Sequence, residues 1–213
     1  MIRFISADNL FNYPKLQDSM FRDRADQFVR RLGWDVCVDE NGWERDVYDR
    51  LNPLYVICEG QNGQHLGSMR FLPSTGQNMI KDHFSHLLKG RKIADPLIWE
   101  CTRFCLGPDA SSRVAGQLMS AGGEIMRSFG LNGFVGVFDE RMVRIYNRIG
   151  SGPEILGSEG RGKDRISVGI WRFSKGARTR VSRRSGLSET IVAHWLKRRF
   201  GDASISPFSV LAT

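Results

Sequence analysis

Between Pro96 and Gly107 the chain reads Leu97-Ile98-Trp99-Glu100-Cys101-Thr102-Arg103-Phe104-Cys105-Leu106. A run this apolar and aromatic is a central strand, and Gly107-Pro108-Asp109 ends it. Two charges lie inside it. A charge in so apolar a setting is costly unless it is paired or functional. Simple alternation sends Glu100 and Arg103 to opposite faces, so either they serve different faces or a bulge reverses the parity.

The flanking segments supply the rest of a sheet. At 213 residues, with 41% hydrophobic and 10% aromatic content, the chain supports one sizeable core. Residues 2–6 predict a short first strand. A helix is predicted from Pro14 to Leu32, with Pro14 in its first turn and Gly33 as its C-cap. Leu54–Cys58 and His65–Leu72 predict antiparallel strands around the turn Gly60-Gln61-Asn62-Gly63. Asn78–Lys89 reads as a helical or irregular cover. A helix over Ser112–Phe129, a strand over Gly133–Phe138, a helix over Glu140–Arg148 and a last strand over Ile166–Phe173 complete the order. The glycine-rich stretch Gly150–Gly162 reads as a connector. Hairpin, charged strand, helix, strand, helix, strand is an α/β pattern with a mixed sheet.

Composition excludes several classes. No run approaches the roughly 18 apolar residues of a membrane span. Met1-Ile2-Arg3-Phe4 lacks a signal-peptide core, so a cytoplasmic location is expected. Cys37, Cys58, Cys101 and Cys105 have neither zinc nor redox spacing; Cys101 and Cys105 would share a face of an unbulged strand and read as buried, reduced thiols. His83 and His86 lack a third ligand, so no metal is expected. The net charge of +8 suits an acidic partner. Much of it lies late, in Arg178–Arg184 and Lys197-Arg198-Arg199.

The most chemically loaded stretch is Trp34–Asp49, centred on Glu44-Arg45-Asp46-Val47-Tyr48-Asp49. It is too polar for a half-buried strand and reads as a loop leading to Asn52-Pro53. Carboxylates beside aromatic faces attract a cation through charge and ring quadrupole together. In the preceding helix Leu16, Met20, Phe28 and Leu32 share a stripe with Arg24. That guanidinium either snorkels to water or is held by Asp46 and Asp49.

The order of elements resembles the Gcn5-related N-acetyltransferase fold, a three-layer αβα sandwich whose mixed central sheet splays open to admit a thioester's pantetheine arm. The phosphate-loop position reads Arg113-Val114-Ala115-Gly116-Gln117-Leu118, with Leu118 where that signature has a small residue. This departure counts against tight coenzyme A pyrophosphate binding there. Arg24-x-x-x-Phe28, Leu32-Gly33-Trp34, Glu44-x-Asp46-x-Tyr48-Asp49, Arg70, Phe84 and Glu100-x-x-Arg103-Phe104 occur in order and at matching spacing. With these motifs the chain resembles the acyl-homoserine-lactone synthases, the autoinducer synthases of quorum sensing, over residues 2–173. Residues 1–173 are thus expected to form the synthase domain and 174–213 a basic tail.

The resemblance implies two substrates, S-adenosylmethionine and an acyl thioester carried by acyl carrier protein or coenzyme A, usually the former. Amide formation and then lactonisation release methylthioadenosine. No cofactor, metal or nucleic acid is implied. Arg24, Phe28, Trp34, Asp46, Asp49 and Phe84 are expected to bind S-adenosylmethionine, with the faces of Phe28 and Trp34 beside the cationic groups. Glu100 is the expected base, with Arg103 and Arg70 beside it, and N–H groups freed by a bulge would meet the oxyanion. Leu118, Met119, Met126, Gly136 and Phe104 are expected to line an acyl tunnel. Gly136 aligns with a threonine of members that make 3-oxo signals, which disfavours 3-oxo products and leaves room for a longer tail.

Beyond the resemblance, Leu187, Ile191 and Trp195 recur every four residues and predict a basic amphipathic helix, docked on the core or docking an acidic carrier. Two rival functions use the same residues differently. An ordinary acetyl-coenzyme A-dependent N-acetyltransferase needs an intact phosphate loop but not the acidic-aromatic stretch. A nucleic-acid-binding module would rest on the basic tail alone, without a recognised motif.

Overall fold

Ile2, Phe4, Leu54, Val56, Met69 and Phe71 alternate along three segments and bury one face of a sheet, while Ile5, Tyr55 and Ile57 bury the other. Both faces are therefore covered. The computed structural model describes residues 1–201. Its strands are β1 (Ile2–Ser6), β2 (Leu54–Glu59), β3 (His65–Pro73), β4 (Ile98–Leu106), β5 (Gly133–Asp139), β6 (Glu154–Glu159) and β7 (Ile166–Arg172). They form a seven-stranded mixed sheet in the order β1-β2-β3-β4-β5-β7-β6. Its neighbours are antiparallel except β4 and β5, which run parallel.

Helices α1 (Pro14–Ala25) and α2 (Met79–His83) pack on one face, and α3 (Val114–Ser128) on the other. Helix α4 (Glu140–Ile149) follows β5. Leu16, Met20, Arg24 and Phe28 are all buried, as their spacing requires, but the helix widens to a π-type turn over Asp26–Arg31 instead of running regularly to Leu32.

The parallel pair β4–β5 sets up the centre of the molecule. Only Ile98↔Gly133, Trp99↔Phe134 and Glu100↔Val135 are in register, after which the strands part. On its other edge β4 is bulged: Arg70 pairs with Thr102 and Ser68 with Cys105, so Met69 faces two residues, Arg103 and Phe104. Arg103 takes the extra position at φ 51, a left-handed backbone that costs a non-glycine residue about 1 kcal/mol or more. The bulge settles the parity question. It turns Arg103 to the face of Glu100, and it puts Cys101 and Cys105 on opposite faces instead of one. All four cysteines are free thiols.

Two sequence expectations are corrected here. Glu154–Glu159, read as a connector from its glycines, is edge strand β6. A Cβ on Gly157 would lie 1.8 Å from the Leu87 carbonyl oxygen, so this glycine marks a close backbone approach and not a turn. The tail contains two helices, α5 (Lys175–Ser185) and α6 (Glu189–Phe200). Val192 and Leu196 are the buried residues of α6, with Leu187 and Trp195 packed beside them, whereas Ile191 is 45% exposed. The stripe therefore lies one residue round the helix from the one expected. Of the two readings of this helix, the structure has it docked on α3 and β1. Residues 202–213 of the expected tail lie outside the described residues, among which no helix is long and apolar enough to cross a membrane.

Candidate active site

The loop before β2 folds on its own carboxylates. Asp46 accepts the N–H groups of Tyr48 and Asp49, and Asp49 accepts that of Asp46, a reciprocal cap on the short turn Val47–Arg50. This cap aims three carboxylates inward at three arginines. Arg24 binds Glu44 at 2.6 Å and both oxygens of Asp49 at 3.1 and 2.9 Å. Arg70 binds Asp46 through two nitrogens, reaches Asp49 at 2.8 Å, and donates its Nε to Thr102. Arg103 bridges Glu44 and Asp46, each at 2.8 Å.

Arg24 and Arg70 are 1% and 0% exposed, and Glu44 is equally buried. Burial would depress the pKa of Arg24, but Asp49 and Glu44 more than offset this and raise it. Burial would raise the Asp49 carboxyl, yet the Arg24 and Arg70 guanidiniums hold it well below the usual carboxylate range. Three carboxylates meet three guanidiniums, so the cluster brings little net charge to attract a cation. Its geometry anchors the loop.

Beside this cluster opens a cleft of about 1100 Å³. Trp34, Trp43, Asp46, Phe84, Arg103 and Asp139 are among the residues that line it. Arg24, Arg70 and Phe28 lie behind its wall. Phe28 stacks on Trp34 at 5.0 Å and has the Arg103 guanidinium 5.3 Å from its ring centre. Phe28, expected from sequence to contact a ligand cation, is not among the residues that line the cleft.

Glu100, the expected base, is engaged by the start of α2. Its oxygens accept the N–H groups of Met79 and Ile80 at 3.0 and 2.7 Å, the first residues of α2, whose N-cap is Asn78. Burial raises its pKa, and these two N–H groups oppose the rise. Glu100 lines neither the cleft nor the cavity described next. Alternation along β4 could not show that α2 folds over this carboxylate.

On the opposite face of the sheet a second, apolar cavity of about 60 Å³ lies under the splay. Phe104, Met119 and Met126, three of the residues expected to line an acyl tunnel, are among those that line this cavity. Leu118 and Gly136 do not: Leu118 is fully buried in the core, and a Cβ on Gly136 would meet the Cys101 carbonyl oxygen at 2.8 Å. Gly136 thus permits β4 and β5 to approach where they part. It opens no space for a longer chain, and its lack of a hydroxyl says nothing of the acyl substituent. Gly136→Thr should force the strands apart and lower stability by about 1–3 kcal/mol, which thermal denaturation would show. A stable variant with altered products would contradict this reading.

Sequence reasoning missed three groups. Glu44 joins the ion cluster, a role its place in Glu44-x-Asp46 hinted at. Gln27 donates to the Phe104 carbonyl and accepts from the Leu106 N–H, at 2.9 and 3.0 Å, beyond the last β4–β5 pair. Its position in the widened turn gave no signal. The aromatic wall of the cavity, Phe71, Phe134, Tyr146 and Trp171, comes from four separate elements.

A family model described as autoinducer synthase matches residues 8–175. The chain is 39% identical over 178 residues to an acyl-homoserine-lactone synthase of Rhizobium etli, covering 80% of this chain and 84% of that one. It is 35% identical over 124 residues to an isovaleryl-homoserine lactone synthase of Bradyrhizobium diazoefficiens, covering 57% and 56%. Among solved structures, BjaI, a CoA-dependent acyl-homoserine lactone synthase with SAM and isopentyl-CoA, superposes with TM-score 0.76 at 25% identity over 88% of this chain and 90% of that one. An N-acetyltransferase from Lactobacillus plantarum, at TM-score 0.55 and 15% identity over 81% and 99%, shares the fold alone.

Proposed function

The chain belongs to the autoinducer synthase family and is an acyltransferase, and from that premise we propose that it joins S-adenosylmethionine to an acyl thioester to make an N-acyl-homoserine lactone. The observation that carries this reading is the pair of chambers: a cleft with charged and aromatic side chains in its wall on one face of the sheet and an apolar cavity on the other, either side of the point where β4 and β5 part. One reactant is charged and the other is oily, and the splay is where they would meet.

In the cleft, Arg103 would meet the methionyl carboxylate, since it lines the wall while Arg24 and Arg70 do not. Asp46, with 19% of its side chain exposed, would accept from the α-ammonium. Trp34 and Phe84 would offer ring faces to the sulfonium or the purine. The α-amine nitrogen then attacks the thioester carbonyl carbon; the carbon–sulfur bond breaks and the donor leaves as a thiol. N–H groups displaced by the Arg103–Phe104 bulge would steady the oxyanion. The methionyl carboxylate next attacks its own γ-carbon, whose bond to the sulfonium sulfur breaks, closing the ring and expelling methylthioadenosine.

An α-amine of pKa about 7.7–8.0 is partly neutral near pH 7, so its proton can leave to water in the cleft. Glu100 would then act as a positioning group that holds the start of α2, and with it Phe84, against the cleft. Glu100→Gln should cut kcat/KM roughly 10-fold or more, because one N–H of Met79 or Ile80 then faces an amide NH₂. The apparent pKa on the acid limb of its pH–rate profile should stay in place. Loss of that limb would make Glu100 the base.

The donor is proposed to be acyl carrier protein, because Arg180, Arg183 and Arg184 of α5 and Arg198, on the side of α6 away from its buried contacts, are exposed and offer an acidic protein a complementary face. The test mixes the protein with S-adenosylmethionine and hexanoyl groups on acyl carrier protein or coenzyme A and follows methylthioadenosine and lactone. Acetylation of an amine without methylthioadenosine would indicate an ordinary N-acetyltransferase instead.

A further inference from the structure

Tyr146 points at a property of the acyl group. It lies on α4, is 6% exposed, and lines the apolar cavity together with Cys101, Phe104 and Trp171. Its ring is fixed by edge-to-face contacts with Phe104 at 6.0 Å, Phe138 at 5.6 Å and Trp171 at 4.9 Å. The ring therefore has little freedom to carry its hydroxyl elsewhere.

That hydroxyl has no hydrogen-bond partner among the described residues, and since the one fully buried polar side-chain atom left unpaired among them is His65 Nε2, the Tyr146 oxygen stays accessible at the cavity it lines. An acyl chain that fills the cavity would close off that access and leave the phenol to pair with the chain or with nothing. Three larger polar side chains on the cavity wall are already committed: Trp171 Nε1 donates to the Ser151 carbonyl, Arg172 pairs with Glu154, and Arg178 bridges Glu124 and Glu189. Burial, with Cys101 and Asp139 nearby, pushes the Tyr146 pKa well up, so the phenol remains a neutral donor.

We propose that the Tyr146 hydroxyl is a specificity-determining group that donates to an oxygen, keto or hydroxyl, carried by the acyl chain. This rests on the acyl-transfer reading above. The oxygen belongs on an early carbon, because Cys101 and Phe104, which flank Tyr146 in the cavity, lie where β4 leaves β5 and the reacting carbonyl would sit. A plain alkyl chain would leave the phenol buried and unpaired, and a site with an unpaired polar group discriminates against the analogue that lacks the matching atom.

The experiment compares hexanoyl, 3-oxohexanoyl and 3-hydroxyhexanoyl donors, with S-adenosylmethionine, in the full-length protein and in Tyr146→Phe. The wild-type protein should prefer at least one oxygen-bearing chain in kcat/KM. In the variant the ratio of that chain to hexanoyl should fall about 10-fold, the size of one hydrogen bond. An unchanged ratio overturns the assignment. Should the variant fail to fold, the wild-type ratio decides alone, and a preference for hexanoyl over both oxygenated chains overturns it. Methylthioadenosine release without chain discrimination defeats this inference only; no release with any donor defeats the acyl-transfer reading as well.

Discussion

Asp49→Ala should destabilise the protein by about 3–5 kcal/mol, the usual penalty for removing one partner of a buried ion pair. Asp49 is bound by Arg24 and Arg70 together, accepts from the Tyr55 hydroxyl at 2.6 Å, and caps the Asp46 N–H. Its loss leaves two buried guanidiniums without their shared counter-charge. For a chain of this size each kcal/mol moves the melting temperature by roughly 2–4 °C, so thermal denaturation should show a fall of about 10 °C or more. A fall of only a degree or two would mean that the cluster rearranges around Glu44 and Asp46. The pH dependence carries the same information. Asp49 has a depressed pKa in the folded state. The stability it contributes is fully present above the unfolded value near 3.9 and drains away as pH falls towards the folded one. Between about pH 5 and 2 the variant's stability should therefore vary less than that of the parent chain.

Asp46→Asn should have the opposite profile, with a small effect on folding and a large one on turnover. The side chain is partly open to the cleft, and asparagine keeps the size and one acceptor of the cap on Tyr48 and Asp49. It loses the negative charge that Arg70 grips with two nitrogens and that Arg103 shares. Charge-assisted bonds of this kind contribute about 1.5–3 kcal/mol each. With Arg103 loosened and the proposed ammonium acceptor neutralised, kcat/KM for lactone formation should drop about 100-fold, measured as methylthioadenosine release. Melting should shift far less than in Asp49→Ala. Near-normal turnover would exclude Asp46 from the reaction and leave it a purely structural cap.

The contrast between these two aspartates, three residues apart, marks the boundary of what could be read before folding. Six of the seven strands were legible from local periodicity, because side-chain burial repeats every two residues along a strand and every three or four along a helix, whereas edge strand β6 was not, and the splay was expected only through the family resemblance. The Arg24 stripe left snorkelling to water and pairing with the Glu44–Asp49 stretch both open, and the tertiary structure decided for the pair. Which charges face the cleft and which stand behind it was settled by contacts between distant segments. A single bulge at Arg103 reversed the strand's parity, the fold of α2 over Glu100 took both of its oxygens, and Phe28 was covered by its own neighbours. Gly136 and Gly157 carry the same lesson, for a glycine's meaning depends on the backbone brought against it from another element. Periodicity is a property of the chain, whereas access to a solvent-filled hollow belongs to the assembled surfaces around it.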